Sequence, residues 1–398
     1  MRFKIKRDKL PFYFSYFLWV VGNAFLVNLG SLVDDYVKMA ALIIMILSVF
    51  LQQWTRKEVH WYFLFFAFCI GTFYFNHETD VIVLAILVTA SRKINIYNLA
   101  KFDVPIRFSC LIITIVCYYL GIVEGYNMID SEAFLEVRLS LGYTHPNNLF
   151  SQIFILVVGI LLANHERLKL RHYSLLILFE IFCGIITYSR TGMIVLAILI
   201  ILTMLRNTKM VNNHIFIFAA KYSFPICGIL IMLAIGMYKN GNMFVNAMDA
   251  LVSGRIRFAY RIIDNYGINL VGQQIEYIGA ADAVKQGVTA IVLDSMYPYL
   301  LVSYGIVFTI VFIGLVMIAQ KVLVANDEKV LLIIIVCYSI YSLTQRAFYS
   351  VNNNYTILIL SLGIDYIVNF KYTSKGQWLY PQIFSGFKEK SSLLSECR

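Results

Sequence analysis

The chain has 398 residues, a length that would allow two or three soluble domains. Its composition excludes that organisation, because hydrophobic residues make up 60% of the sequence and charged residues only 14%, with a mean hydropathy of +0.73. So few charges cannot cover so much apolar surface in water, and lipid must therefore surround most of the chain. The seven cysteines do not pair in polar loops, so the sequence predicts neither a disulfide framework nor a zinc site.

Apolar stretches long enough to cross a bilayer recur along the chain and predict an all-α bundle of about twelve transmembrane helices. The predicted spans are residues 11–30, 36–54, 59–76, 79–95, 105–123, 146–163, 173–189, 191–205, 214–237, 295–318, 329–344 and 355–370. The helical bundle then covers residues 1–370, including an external loop at 239–294. Residues 371–398 are polar and are predicted to form a cytoplasmic tail.

The distribution of Lys and Arg predicts the orientation of these spans. If the N-terminus is cytoplasmic, the predicted inner segments hold 23 of the 33 basic residues and the outer segments hold 8. Basic residues avoid translocation, so both termini are predicted to be cytoplasmic. This placement accounts for most of the net charge of +10 without nucleic acid as a partner.

Two segments on the predicted outer side cannot be simple spans or short loops. Residues 173–205 have basic flanks on both sides, and a single helix of that length would reach about 50 Å, beyond a hydrocarbon core of about 30 Å. The stretch is therefore predicted to be a helical hairpin whose tip holds Arg190 in a recess. The loop at 239–294 is too long to be structureless and is predicted to fold as a helical cap.

Arginines on the predicted outer side run against the orientation rule, which marks them as candidate anion-binding residues. Beside Arg190, the segment 253–261 contains Arg255, Arg257 and Arg261 behind Ser253, which is predicted to cap a helix. Helix N-termini and guanidinium groups both bind phosphate oxygens. Arg257 and Arg261 share a helix face, whereas Arg255 lies on another. The alternative is that these arginines reach towards lipid phosphates.

Further candidates lie where predicted spans begin or end. His145 precedes a helix start and can act as a base or a donor, or it can belong to a structural cap with Asn147. Asp294 can accept a proton from a hydroxyl group or can cap the next helix. Asn147, Tyr297 and Arg346 are the candidate substrate-binding residues. No HExxH, P-loop or CxxC motif is present, so the sequence predicts neither a metal site nor a cofactor.

Five short motifs occur between about residues 140 and 310, in the order GYTHPNN, YSRTG, SGRIRFAYR, GQ and DSMYPYLLVSYG. This order resembles that of the Wzy-type polysaccharide polymerases, which are close to the O-antigen ligases among the GT-C-like membrane glycosyltransferases. In the ligases a histidine closes the external loop, and Asp294 stands at that place here. The difference favours a polymerase.

The resemblance implies a metal-independent enzyme of the bacterial cell membrane that polymerises polyprenyl-pyrophosphate-linked repeat units into a capsule or exopolysaccharide on the extracytoplasmic face. By the same resemblance, Arg190 and Arg255 bind the donor's pyrophosphate, and Asp294 or His145 removes the acceptor's proton. The implied partners are the lipid-linked glycan donor and acceptor, membrane lipids, a chain-length regulator and a flippase. The alternatives are glycan transfer of the O-antigen-ligase type and a lipid-linked oligosaccharide flippase or transporter.

Overall fold

The computed structural model describes residues 7–30, 32–125, 128–130, 136–279, 287, 291–350 and 352–368. These residues form an α-helical bundle, and the predicted tail at 371–398 lies outside them. The helices are α1 (Leu10–Ala24), α2 (Val33–Phe50), α3 (Arg56–Asn76), α4 (Asp80–Ala90), α5 (Ile96–Tyr119), α6 (Pro146–Ala163), α7 (Leu170–Thr187), α8 (Arg190–Met204), α9 (His214–Lys221), α10 (Ser223–Lys239), α11 (Met243–Leu251), α12 (Arg255–Tyr266), α13 (Met296–Tyr299), α14 (Gly305–Ala325), α15 (Lys329–Tyr341) and α16 (Leu360–Val368). A π-helical turn at Leu300–Tyr304 joins α13 to α14, and a 3₁₀ helix at Tyr355–Ile359 precedes α16.

The helices have the length and apolar surface of a membrane protein. Among those described, five are long and apolar enough to cross a membrane, or six if the bent pair α9 and α10 forms one span. Large apolar side chains such as Phe50, Phe63 and Ile215 are exposed on the outside of the bundle, as expected where lipid is the solvent. Each of the twelve predicted segments overlaps a helix, but several of these helices are short, so the number of spans stays a prediction.

The described residues also contain a small β element that the all-α prediction lacked. Strands β1 (Met128–Asp130) and β2 (Glu136–Arg138) pair in antiparallel register between α5 and α6. In the 239–294 loop, α11 and α12 are followed by extended chain with an isolated bridge between Ile278 and Ile291. The described part of this loop is therefore only partly helical.

Polar side chains at the helix starts set where the segments begin. Thr55 and Glu58 form a reciprocal capping box at α3, and Asn95 accepts a hydrogen bond from the first turn of α5. Asn213 and Asn242 do the same at α9 and α11. These caps fix the lengths of the helices and thus the positions of the turns at the two ends of the bundle.

The predicted hairpin at 173–205 is confirmed, with α7 and α8 packed against each other. Tyr188 has a left-handed backbone with φ of 51°, which reverses the chain before Arg190 begins α8. Gly192 lies so close to the ring of Phe150 that a Cβ atom at this position would be only 2.5 Å from a ring carbon. The hairpin tip is thereby held next to the start of α6.

A contact between two glycines fixes the 239–294 loop to the bundle. A Cβ atom on Gly305 would lie 2.3 Å from the backbone nitrogen of Gly272. Gly305 also has φ of 84° and ψ of 170°, a region that is accessible essentially to glycine alone. The backbone N–H of Gln273 donates to the Ser303 carbonyl at 3.2 Å, next to this contact. Gly272 of the GQ motif and Gly305 at the end of the DSMYPYLLVSYG motif therefore have a packing role.

We expect Gly305→Ala to lower the free energy of unfolding by about 2 kcal/mol or more, because it adds backbone strain and a steric clash. The measurement is the thermal unfolding midpoint of the full chain in detergent. Gly314→Ala in α14 is the matched control, since nothing lies within 4 Å of a Cβ atom there. Equal midpoints for the two variants would contradict this role of the glycine contact.

Two arginines that the orientation prediction assigned to inner segments are buried inside the bundle. Arg107 in α5 forms an ion pair with Asp103 at 2.7 Å, and the Tyr16 hydroxyl donates to the same carboxylate. Arg92 is paired with Glu58. Each buried arginine has an opposite charge beside it, so removal of either partner would leave an uncompensated charge inside the bundle. Both arginines carry less weight as orientation signals than exposed lysines and arginines do.

Candidate functional site

Segments that are far apart in the sequence meet at one end of the bundle. They are the start of α6, the tip between α7 and α8, the start of α12, the chain before α13 and the chain after α15. We call the space between them the cleft, and define it by His145, Ser189, Arg255, Asp294 and Gln345. All of these residues belong to segments that the sequence assigned to the outer side of the membrane.

Arg255 and Asp294 lie at the centre of the cleft. A terminal nitrogen of the Arg255 guanidinium is 3.8 Å from a carboxylate oxygen of Asp294. With the Gln345 amide oriented so that its oxygen faces the guanidinium, that oxygen accepts from both terminal nitrogens of Arg255, at 2.8 and 2.9 Å. The Arg255 side chain is 12% exposed and that of Asp294 is 39% exposed. Gln345 therefore orients the guanidinium, while the carboxylate stays open to a ligand.

The prediction that Ser253 caps α12 is wrong. Ser253 and Gly254 both have left-handed backbones, with φ of 59° and 76°, and form the sharp turn between α11 and α12. Asp249, at the end of α11, caps the helix from the side, since its Oδ1 accepts from the N–H groups of Ile256 and Arg257 at 2.8 and 3.1 Å. These two amide groups are thus not free for an anion, and the guanidinium of Arg255 is the cationic group that α12 brings to the cleft.

The three arginines of α12 are divided between two faces, as their spacing predicts. Ile256, Ala259 and Ile262 are buried and form the inner face of the helix. Arg257 and Arg261 are exposed on the other side, whereas Arg255 is partly buried against Asp294 and Gln345. The structure does not bring Arg257 and Arg261 together with the pair in the cleft.

His145 caps α6 with its own side chain. Its Nδ1 accepts from the backbone N–H of Asn147 at 3.0 Å, so Nε2 carries the hydrogen of the neutral ring. Burial and the neighbouring Arg138 lower the pKa of His145 below its ordinary value, with a further contribution from Arg255 and an opposing one from Asp294. In this form the ring can donate a hydrogen bond through Nε2, but its acceptor nitrogen is already in use.

A pH dependence follows from the lowered pKa of His145. The folded protein favours the neutral ring, so the stability that the cap contributes is present above the unfolded pKa of about 6.5 and decreases as the pH falls below it. We expect wild-type protein to lose about 1 kcal/mol more stability than His145→Asn between pH 7 and pH 5, because asparagine also caps but does not titrate. Thermal unfolding in detergent at several pH values measures this, and parallel curves for the two proteins would contradict it.

Asn147, predicted to bind substrate, is used in an internal contact. Its Oδ1 accepts from the Arg138 guanidinium at 2.7 Å, and Arg138 also donates to the Thr187 carbonyl at 3.1 Å. Arg138 thus ties the start of α6 to the end of α7. The structure gives Asn147 a place beside the cleft as part of its framework.

Arg190 begins α8 at the tip of the hairpin and is exposed, with its guanidinium 5.2 Å from the centre of the Tyr188 ring. The preceding residue, Ser189, is buried and lies close to the Tyr341 hydroxyl group. That hydroxyl is also within electrostatic range of Arg255 and Asp294. The tip is therefore adjacent to the cleft, with Arg190 at its outer edge.

The two remaining candidates lie in different surroundings. Arg346 is exposed, and its guanidinium lies 4.4 Å from the centre of the Tyr299 ring and within electrostatic range of Asp294. Tyr297 is buried, and its hydroxyl group donates to the Ser339 carbonyl at 2.9 Å. Arg346 is thus available to a ligand beside the cleft, whereas Tyr297 packs inside the bundle.

Sequence reasoning assigned no role to Gln345 or Tyr341, although both contribute to the cleft. The signal for Gln345 was its place next to Arg346 at the end of a predicted span. Tyr341 lies inside an apolar run and gave no such signal. Within the described ranges, no three His, Cys, Asp or Glu side chains are placed to hold a metal ion.

Comparison of the chain with models of known protein families, with curated proteins and with solved structures finds no match in any of the three.

Proposed function

We propose that the protein is a metal-independent membrane glycosyltransferase that polymerises polyprenyl-pyrophosphate-linked oligosaccharide repeat units into a surface polysaccharide. One observation carries most of the support. The Arg255 guanidinium and the Asp294 carboxylate come from separate segments and lie 3.8 Å apart in a partly exposed cleft at the end of an apolar helical bundle. A cation and a potential base are thus directed at one place beside the lipid region.

This pair suits the transfer of a glycan from a lipid pyrophosphate. The hydroxyl oxygen of the acceptor sugar attacks the anomeric carbon of the donor, while its proton passes to a carboxylate oxygen of Asp294. The bond between the anomeric carbon and the pyrophosphate oxygen breaks, and the leaving pyrophosphate keeps the electron pair. Arg255, oriented by Gln345, stabilises the charge that develops on that leaving group.

Asp294 is a better candidate than His145 for the base. The Nδ1 atom of His145 accepts a hydrogen bond from the backbone, so its lone pair is not available to a substrate hydroxyl. In the described part of the chain, Asp294 forms no hydrogen bond that would cap α13. We therefore assign proton removal to Asp294 and a capping and donating role to His145.

The charge around the cleft also suits a pyrophosphate. Arg138 and Arg255 both interact electrostatically with His145, and Arg346 interacts electrostatically with Asp294. Arg190 adds a further cation at the hairpin tip. This excess of guanidinium groups favours a ligand with several negative charges.

The proposal includes the membrane arrangement predicted from the sequence. Twelve spans with both termini in the cytoplasm of a bacterial cell would place the cleft on the extracytoplasmic face. The polyprenyl tails of donor and acceptor would lie along the exposed apolar helices. A chain-length regulator and a flippase that supplies the substrate are the proposed protein partners.

The test uses the purified full chain in lipid nanodiscs with radiolabelled lipid-linked repeat units as the only substrate. We expect a ladder of longer lipid-linked glycans with release of polyprenyl pyrophosphate. Transfer to a different lipid-bound acceptor without a ladder would instead support a ligase. Movement of labelled units across liposomes without elongation would support a flippase, and both of these results would contradict the polymerase.

A further inference from the structure

Next to the cleft, Arg346 rests on a group of tyrosine side chains. Its guanidinium lies 4.4 Å from the centre of the Tyr299 ring and 5.9 Å from that of Tyr277, and the two rings are 5.7 Å apart. The Tyr277 hydroxyl is hydrogen bonded to the Ser303 side chain at 2.6 Å. This contact fixes one aromatic wall, which is partly exposed at Tyr277 and faces the same space as Arg346.

Two carboxylates lie within electrostatic range of this aromatic wall. Glu78 lies in the turn between α3 and α4 and Asp80 begins α4, and both are partly exposed and within electrostatic range of Arg346. In the described part of the chain, neither carboxylate has an ion pair within 4.0 Å or a hydrogen bond to a side chain. Burial and the nearby Asp80 raise the pKa of Glu78, with Arg346 opposing them. We call the space bounded by Glu78, Asp80, Tyr277 and Arg346 the acidic pocket.

Buried polar atoms without partners surround the acidic pocket. The hydroxyl groups of Tyr304 and Tyr349 are buried and close to each other, make no hydrogen bond of normal length among the described residues, and lie within electrostatic range of the Asp80 carboxylate. The side-chain nitrogen of Asn76 is also buried without a partner among the described residues, and its oxygen accepts from the backbone N–H of Glu78. Buried polar groups normally have partners, so these atoms indicate that polar groups from elsewhere complete this site.

We infer that the acidic pocket is the acceptor subsite, where Glu78 and Asp80 bind hydroxyl groups of the terminal sugar of the incoming repeat unit. This inference rests on the proposed function. Carboxylates accept hydrogen bonds from sugar hydroxyl groups, while the exposed face of Tyr277 packs on the carbon–hydrogen face of the ring.

The charges of the acidic pocket also specify the class of sugar. Two carboxylates against one guanidinium leave an excess of negative charge, which disfavours a sugar that carries a carboxylate of its own. The subsite therefore suits an uncharged, polyhydroxylated sugar. Its position is suitable too, because Arg346 lies within electrostatic range both of Glu78 and Asp80 and of Asp294. A sugar held there presents a hydroxyl group towards the base.

The experiment measures chain growth by the purified full chain, with preformed lipid-linked polymer as the donor and lipid-linked single repeat units as the acceptor. We expect Glu78→Gln and Asp80→Asn each to raise the KM for the acceptor about tenfold or more, with kcat and the KM for the donor within about threefold of wild type. Asp35→Asn is the matched control, because Asp35 is an exposed acid at the start of α2, which the sequence assigns to the same side.

A second measurement separates binding from an effect on folding. An acceptor whose terminal sugar is oxidised to a uronic acid should react worse than the neutral acceptor with wild-type protein, and this preference should shrink in Asp80→Asn. A preference that is unchanged, or an acceptor KM like that of Asp35→Asn, overturns the subsite while the polymerase stands. Failure of the wild-type protein to extend any chain overturns both proposals.

Discussion

Asp294→Asn is expected to reduce the rate of chain growth by about 100-fold to 10,000-fold, the range typical of a lost general base. Asparagine has nearly the same shape but cannot take up a proton from the acceptor hydroxyl. The donor should still bind, because Arg255 and Gln345 remain in place. The measurement is the single-turnover rate at saturating donor and acceptor, together with the KM for the donor.

The control for this variant is Asp264→Asn. Asp264 lies on α12 in the same loop and is exposed, so the same chemical change is made away from the cleft. Its rate should stay within about threefold of wild type. If Asp294→Asn behaved in the same way, Asp294 would not be the base. A loss of activity in His145→Asn alone would then move that role to His145.

Arg255→Ala is expected to lower kcat/KM for the donor by about 100-fold or more. The variant removes a guanidinium that Gln345 orients through two hydrogen bonds in a partly buried site, where a charge stabilises a leaving pyrophosphate strongly. Arg255→Lys should recover part of the activity, because lysine restores the charge but not the planar pair of donors. The measurement is the initial rate as a function of donor concentration.

The helix itself supplies matched controls for Arg255. Arg257 and Arg261 lie on the same helix and are exposed, so Arg257→Ala and Arg261→Ala remove an equal charge from α12 without entering the cleft. We expect both variants to stay within about threefold of wild type. Equal losses in all three variants would mean that the helix acts through its overall charge, and the specific assignment to Arg255 would be wrong.

The contrast between these arginines shows that the number of cations in a motif does not predict which of them lies in the site. The motif at 253–261 offers three guanidinium groups within seven residues. Burial of Ile256, Ala259 and Ile262 fixes the rotation of the helix. As a result, one of the three arginines faces Asp294 and the other two face outwards. Periodicity predicted the separation of the faces, but only packing determines which face lies over the cleft.

The sequence by itself determined the solvent of this protein, because 60% hydrophobic residues and 14% charged residues cannot form a soluble fold. It also determined the helical hairpin at 173–205. The thickness of the bilayer limits the length of a spanning helix, and both flanks of that stretch are basic. These conclusions depend on local composition and on length, which a sequence records directly.

Only the tertiary structure decided which side chains meet. Asp249 replaces Ser253 as the cap of α12 because two left-handed residues bring the end of one helix back over the start of the next. Gln345 lies on Arg255 because the chain after α15 and the start of α12 lie at the same place, although 90 positions separate the two residues in the chain. Contacts of this kind arise from the packing of distant helices, and no local pattern encodes them.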